Sequence, residues 1–328
     1  MLFWLLLFFA IGAAGTGLAR AYAVHCNLID EPGERRSHAS ATPRGGGIGV
    51  VLAVLVAASA LALRDPSQAA PLTAFAVGLL LVAGIGWWDD HRSLPAWLRL
   101  AVHTVAAVLL ALAVLAGHGD AWVAAAAFVA ALVLTNVWNF MDGIDGLAAS
   151  QAALVAAAFS VALSGSVWAW LGGAVTAACV GFVPFNFPRA RIFLGDVGSG
   201  ALGFAIAALA AAVVAHHDTA AAGLLALLPL SAFLLDAGLT LGRRVVRGEC
   251  WWTAHVQHAY QACARQARSH VAVTIAYAGW TVAAVLLAGS LRSSPVLFML
   301  AGVLAWYMSG AFLWWCLQRR AAAAHMAI

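Results

Sequence analysis

The chain contains no lysine, so all seventeen of its basic residues are arginine, and charged residues of both signs make up only 9% of its 328 positions. Hydrophobic residues make up 64%, and apolar runs long enough to cross a bilayer recur along the whole length, which marks a polytopic membrane protein. In that setting the formal charge of +4 speaks of membrane topology and excludes nucleic acid as a partner. The five cysteines show no paired framework, so structural disulfides are not expected. Cys250, His255, His258 and Cys263 match none of the usual two-residue zinc spacings. No Pro- or Ser-rich linker and no repeat divides the chain, which reads as a single transmembrane domain over 1–328.

A membrane-spanning helix needs about 20 mainly apolar residues. Divided at polar or Gly/Pro-marked breaks, the sequence gives about eleven such segments, near 1–21, 45–63, 71–88, 99–117, 121–138, 147–164, 167–185, 198–215, 220–241, 270–290 and 295–317. The first has no basic residue before Arg20, so it lacks the charged start of a signal peptide and is expected to be a retained helix. If it runs from outside to inside, fifteen of the seventeen arginines fall on the cytoplasmic face, and Arg64 and Arg292 fall outside. That asymmetry follows the positive-inside rule and supports an odd number of spans.

The same topology gathers the polar motifs on the inner face. Asn136-Val-Trp-Asn-Phe-Met-Asp-Gly-Ile-Asp-Gly-Leu147 puts two amides and two carboxylates into an otherwise apolar stretch, where polar groups are costly and point to function. Asn136, Asn139, Asp142 and Asp145 are spaced by three, and Gly143 and Gly146 predict a helix break, tolerated at membrane depth mainly where it lines a cavity. Asp89 and Asp90 close the third segment, where negative charge opposes the helix dipole unless a cation or metal compensates. Arg35, Arg36, His38 and Arg44 precede the glycine run 45–47, a pattern suited to a phosphate or to a simple Gly-rich helix start. Asp196 stands before a Gly-Ser turn whose free N–H groups suit a phosphate, with Asp196 or Ser199 as an ordinary N-cap being the plainer reading. In the long loop from 243 to 269, His255 and His258 share a face if the segment is helical, which leaves a surface helix and a binding loop equally open.

Taken in order, these motifs resemble one family over essentially the whole chain: the polyprenyl-phosphate N-acetylhexosamine-1-phosphate transferases, or glycosyltransferase family 4. His38 with Thr42-Pro-Arg-Gly-Gly46, Asp89-Asp90, Asn136 to Leu147 and Ile192-Phe-Leu-Gly-Asp-Val-Gly-Ser199 each match a family motif. The resemblance implies an all-α bundle with a cleft on the cytoplasmic face of the bacterial inner membrane. There a UDP-N-acetyl-sugar and undecaprenyl phosphate would give undecaprenyl-diphospho-sugar and UMP with Mg²⁺, for which Mn²⁺ can substitute. It implies Asn139 and Asp196 as metal ligands and Asp89, Asp90, Asp142 and Asp145 as catalytic groups. His38, Arg44, Arg99, Asn136, Ser199, His255 and His258 are implied as substrate-binding. Arg36 and Arg99 replace lysines frequent in the family, which keeps charge and changes its geometry. The sparse histidine pattern of the late loop looks like the O-antigen-initiating branch and a 6-deoxy amino sugar. The Ala/Gly-rich faces suit homodimerisation. The alternative is a transporter or flippase of anionic lipid or nucleotide-sugar cargo, since broken helices, intramembrane carboxylates such as Asp236 and phosphate-friendly glycines also suit alternating access; the gathering of the polar motifs on one face favours an enzyme.

Overall fold

The computed structural model describes residues 1–31, 40–217, 220–250, 253 and 255–326. Its helices are α1 (Leu2–His25), α2 (Ile48–Arg64), α3 (Ala69–His91), α4 (Ala96–His118), α5 (Ala121–Phe140), α6 (Leu147–Ala162), α7 (Val167–Asn186), α8 (Asp196–His217), α9 (Ala220–Val246), α10 (Ala259–Ala267), α11 (His270–Leu291) and α12 (Val296–Met326). Each of the eleven expected segments is one of these helices; α10, short and polar, is additional. Among the described residues nine helices are long and apolar enough to cross a membrane, while α2 and α6, at 17 and 16 residues, are apolar but shorter. The protein is an all-α integral membrane protein. Two-residue strands β1 (Ile29–Asp30) and β2 (Thr42–Pro43) pair antiparallel just ahead of α2.

The axis of the bundle is α8. Its most apolar window is 94% buried, against 22% for α1, α4 and α11, so α8 is wrapped by other helices while those three turn most of their surface outward. It packs on α5 and α3 first, then on α6, α9 and α2. Lipid tails are as apolar as leucine, so helices in a membrane associate through close van der Waals fit, and small residues permit it. The sequence of α8, DVGSGALGFAIAALAAAVVAHH, supplies that fit. Gly203 faces the backbone of Leu134 and Thr135 on α5, where a Cβ would collide with the Leu134 carbonyl oxygen.

Helix ends from across the chain meet at one end of the bundle. There α3, α5 and α7 finish and α2, α4, α6 and α8 begin, and the loops between them carry nearly all the acidic motifs. The opposite end holds Arg64, Asp65, Asp120 and Arg292.

If close fit on α8 holds the bundle, Gly203→Ala should lower stability by about 1–3 kcal/mol. Gly84→Ala, at a position with nothing within 4 Å of the added carbon, should be neutral. Thermal unfolding of both variants in one detergent checks the contrast, and equal effects would refute it.

Candidate active site

The adjacent Asp89 and Asp90 of one motif and Asp196 of another come together where α3 ends and α8 begins. Asp90 is 3% exposed, and both of its oxygens are engaged by α8: Oδ1 accepts from the Asp196 N–H at 3.1 Å and Oδ2 from the Val197 N–H at 3.1 Å. The next two N–H groups, of Gly198 and Ser199, reach the Gly195 carbonyl at 3.0 and 2.9 Å. The first four donors of α8 are thus all satisfied. This overturns two expectations: the α8 N-terminus is not a free phosphate cradle, and its cap is neither Asp196 nor Ser199. The cap is a carboxylate carried in from α3, because a buried charge at the end of one helix is best offset by the positive end of another.

Asp89 is compensated differently. Its Oδ1 accepts from the Leu94 N–H at 2.6 Å, and its Oδ2 pairs with Arg99 Nη1 at 2.7 Å. The same guanidinium nitrogen reaches Asp196 Oδ2 at 2.9 Å. Arg99, in the first turn of α4, is therefore the cation that offsets Asp89. Asn139, in the last turn of α5, donates through Nδ2 to Asp196 Oδ1 and to Ser199 Oγ, both at 3.0 Å. Ser199 is buried beneath that amide at 1% exposure, a support for Asn139 where substrate contact was expected. The amide of Asn136 turns back onto the Leu132 carbonyl of its own helix at 2.8 Å.

The glycine run also differs from expectation. The N–H groups of Gly46 and Gly47 are held by the carbonyls of Phe193 and Leu194 at 2.9 and 2.8 Å, so they do not face an anion. Glycine is required at 47 because its backbone lies against that of Gly198. Arg44 donates to the Asp90 carbonyl and lies 3.9 Å from Asp30, a cation at the C-terminal end of α3. His38 lies outside the described residues.

Helix α5 ends at Phe140, as Gly143 and Gly146 predicted, and the loop beyond carries Asp142 and Asp145. Burial pushes the Asp142 carboxyl up to about 7, with the Asp90 and Asp145 charges adding. Asp145 is tied to α11, through His270 Nδ1 at 3.2 Å and through its carbonyl to the Thr274 hydroxyl at 2.8 Å. Asn186, which sequence reasoning missed, fixes this loop to the α7–α8 connection: its Oδ1 accepts from Gly146 N–H at 2.7 Å and its Nδ2 donates to the Ile192 carbonyl at 2.9 Å. An asparagine closing an apolar helix was the available signal.

His255 and His258 do not share a helical face, since α10 begins at Ala259 and His258 is its N-cap. Their rings nevertheless meet, with centroids 4.9 Å apart. His258 is 3% exposed and its ring lies over Phe140 and Tyr260; the half-buried His255 is the more open of the pair. Burial, then the neighbouring His258 and Arg244, push the His255 pKa down to about 4, so its ring is neutral near pH 7. Asp236, the carboxylate within α9, has both oxygens occupied, accepting from the N–H groups of Ala259 and Tyr260 at 2.8 and 3.0 Å and from the Tyr277 hydroxyl at 2.7 Å.

Among the described residues no three His, Cys, Asp or Glu side chains form a ready cage for a metal. The hard oxygens around Asp196 still fit Mg²⁺, which takes one or two carboxylates and completes its shell with water and substrate phosphates. Arg99, between Asp89 and Asp196, stands in the place of such a cation. Which atom of the Asn139 amide faces Asp196 is an assignment of the hydrogen-bond network, and turning the amide presents its oxygen.

Residues 72–214 match the model of a family described as glycosyl transferase family 4. The decaprenyl-phosphate N-acetylglucosaminephosphotransferase of Mycobacterium tuberculosis is 32% identical over 313 residues, 81% of this chain and 76% of the relative. The chain belongs to glycosyl transferase family 4. Within the family it is also similar to a probable undecaprenyl-phosphate N-acetylglucosaminyl 1-phosphate transferase of Bacillus subtilis, 26% identical over 70% of this chain and 68% of the relative. A phospho-N-acetylmuramoyl-pentapeptide-transferase of Thermosynechococcus vestitus is 32% identical over 54% and 53%. The family match contains Asp89, Asp90, Asn139, Asp142 and Asp196, while α10 and His258 lie beyond it.

The raised Asp142 pKa makes a prediction for this family member. The folded state holds that proton more tightly than the unfolded chain, whose aspartates titrate near about 3.9. The stabilisation is therefore full below about pH 4 and lost as the pH rises through 7. The melting temperature of the wild type should fall more steeply from pH 4 to 7 than that of Asp142→Asn; equal slopes would contradict the assignment.

Proposed function

We propose that this protein transfers a sugar-1-phosphate from a UDP-N-acetylhexosamine to undecaprenyl phosphate, giving undecaprenyl-diphospho-sugar and UMP at the cytoplasmic face of the bacterial inner membrane. The observation that carries the reading is the convergence of Asp89, Asp196, Arg99 and Asn139 at the arginine-rich end of the bundle. That is the composition a diphosphate and a cation need. Two of the named relatives carry decaprenyl phosphate and undecaprenyl phosphate in their names, which supports the lipid acceptor. The relatives' names specify N-acetylglucosamine and N-acetylmuramoyl-pentapeptide, so they support an ordinary N-acetylhexosamine ahead of the 6-deoxy sugar suggested by the late loop.

In this reading an oxygen of the lipid phosphate attacks the phosphorus that bears the sugar. The bond from that phosphorus to the bridging oxygen breaks, and UMP leaves with the oxygen. Asp196 and Asn139 would hold Mg²⁺, with Mn²⁺ as a substitute; when bound, the ion neutralises the diphosphate and stabilises the leaving oxygen. Arg99, its guanidinium beside both carboxylates, would neutralise phosphate charge. Asp142, with a pKa near 7, is matched to accept the remaining proton of the lipid phosphate. Asp89 orients Arg99. Asp90 acts at one remove, fixing the start of α8 and with it the direction of Asp196. His255 is the neutral contact for the sugar nucleotide, and His258 supports it.

The test is UMP release by the detergent-purified protein given undecaprenyl phosphate and a panel of UDP-N-acetyl-sugars. Lipid-dependent, EDTA-sensitive UMP is expected, and Asp196→Asn should lower kcat at least roughly a hundredfold, the scale for removing one electrostatic group from a reacting centre. Full turnover in a folded Asp196→Asn variant would refute the assignment.

A further inference from the structure

Asp236 is an acidic residue within the apolar run of α9, and it is 2% exposed. A carboxylate there persists only if donors replace the water it has lost. Four do: the N–H groups of Ala259 and Tyr260 at 2.8 and 3.0 Å, the Thr240 hydroxyl at 3.2 Å and the Tyr277 hydroxyl at 2.7 Å. Two of these are the first donors of α10, so Asp236 does for α10 what Asp90 does for α8. At nine residues, α10 is too short to be stable by itself, and a charge at its positive end fixes where it starts.

That start is where α10 meets the site. The Tyr260 hydroxyl donates to the Phe140 carbonyl at 3.1 Å, two residues before Asp142, and it fills the space over Gly143, where a side chain would collide with it. His258 Nδ1 lies 3.6 Å from Asp236, and the His258 ring carries His255 against it. The segment leading into α10 is polar and is held by the ends of α9 and α12: Arg243 donates to the Gln257 carbonyl at 3.4 Å and Gln318 to the same carbonyl at 2.9 Å, while Gln257 Nε2 donates to Glu249 at 2.9 Å. A water-soluble substrate would meet this polar side of the site, and an isoprenoid chain the apolar helices.

We infer that Asp236 is a positioning residue for the nucleotide-sugar half of the site, acting through the first turn of α10 to set His258, His255 and Tyr260 against the 142–145 loop. This rests on the transferase reading above. Asp236→Asn keeps the size of the side chain but replaces one acceptor oxygen by a donor that cannot receive an N–H. The KM for the UDP-sugar should rise on the order of tenfold, the scale for losing a charge-assisted bond at a buried group, while the KM for undecaprenyl phosphate stays within about twofold. In a His258→Ala background the same substitution should add less than about twofold, because the two act along one path.

Unchanged KM values, an equal rise for both substrates, or additive effects would overturn the inference. If Asp236→Asn does not fold, Tyr277→Phe decides by the same split: it removes one donor and leaves the carboxylate on α10. A KM rise confined to the UDP-sugar supports the inference, and no selective rise overturns it. A folded wild type that releases no UMP from any donor overturns the transferase reading and this inference with it, whereas an active wild type with unchanged variants overturns this inference alone.

Discussion

A carboxylate at the end of an apolar helix must be offset, and here the offset is the N-terminus of another helix. Asp90 on α3 receives the first two N–H groups of α8. The attachment joins two helices more than a hundred residues apart in the chain, and the same N–H groups belong to Asp196 and Val197. The direction in which Asp196 projects is therefore tied to a charge on a different helix. Asp236 repeats the device for α10. Both buried aspartates are held by donors that could not leave without exposing an uncompensated charge, so the bond rigidifies the elements it joins.

The chemistry of the site follows from what that arrangement leaves over. With Asp90 occupied, Asp89 and Asp196 share one guanidinium, Arg99. Their oxygens face one another across that guanidinium, and Asn139 stands beside Asp196 with Ser199 as its support. Asp142 lies apart on its loop, its proton held by burial. Asp90 holds the start of α8, Asp89 and Asp196 flank Arg99, and Asp142 stands on its own loop, although all four are aspartates; their environments separate them.

How much of this the sequence displays depends on the range of the interaction. The eleven apolar segments are legible because each carries its own signal over some twenty residues, and the break after α5 is legible in Gly143 and Gly146. Helix α10 is not, because its nine residues AYQACARQA are polar and it takes its start from Asp236, more than twenty positions earlier. The motif residues Asp89, Asp196 and Asn139 were recognisable as a set. The division of labour between Asp89 and Asp90 was not, since adjacent residues look alike in a sequence and differ only in whether Arg99 or α8 lies opposite. The glycine run misled for a related reason: Gly47 answers a close approach by Gly198, a contact that spacing cannot show. Asn186 and Tyr260 join loops that are neighbours only in space.

The central claim is that Asp90 serves the reaction by holding α8 and so aiming Asp196. The measurement that tests it most directly is the Mg²⁺ concentration giving half-maximal UMP release in wild type and in a folded Asp90→Asn variant. A rise of roughly tenfold or more is predicted, the scale on which supports of metal ligands act. Wild-type Mg²⁺ dependence with wild-type turnover in that variant would contradict the account.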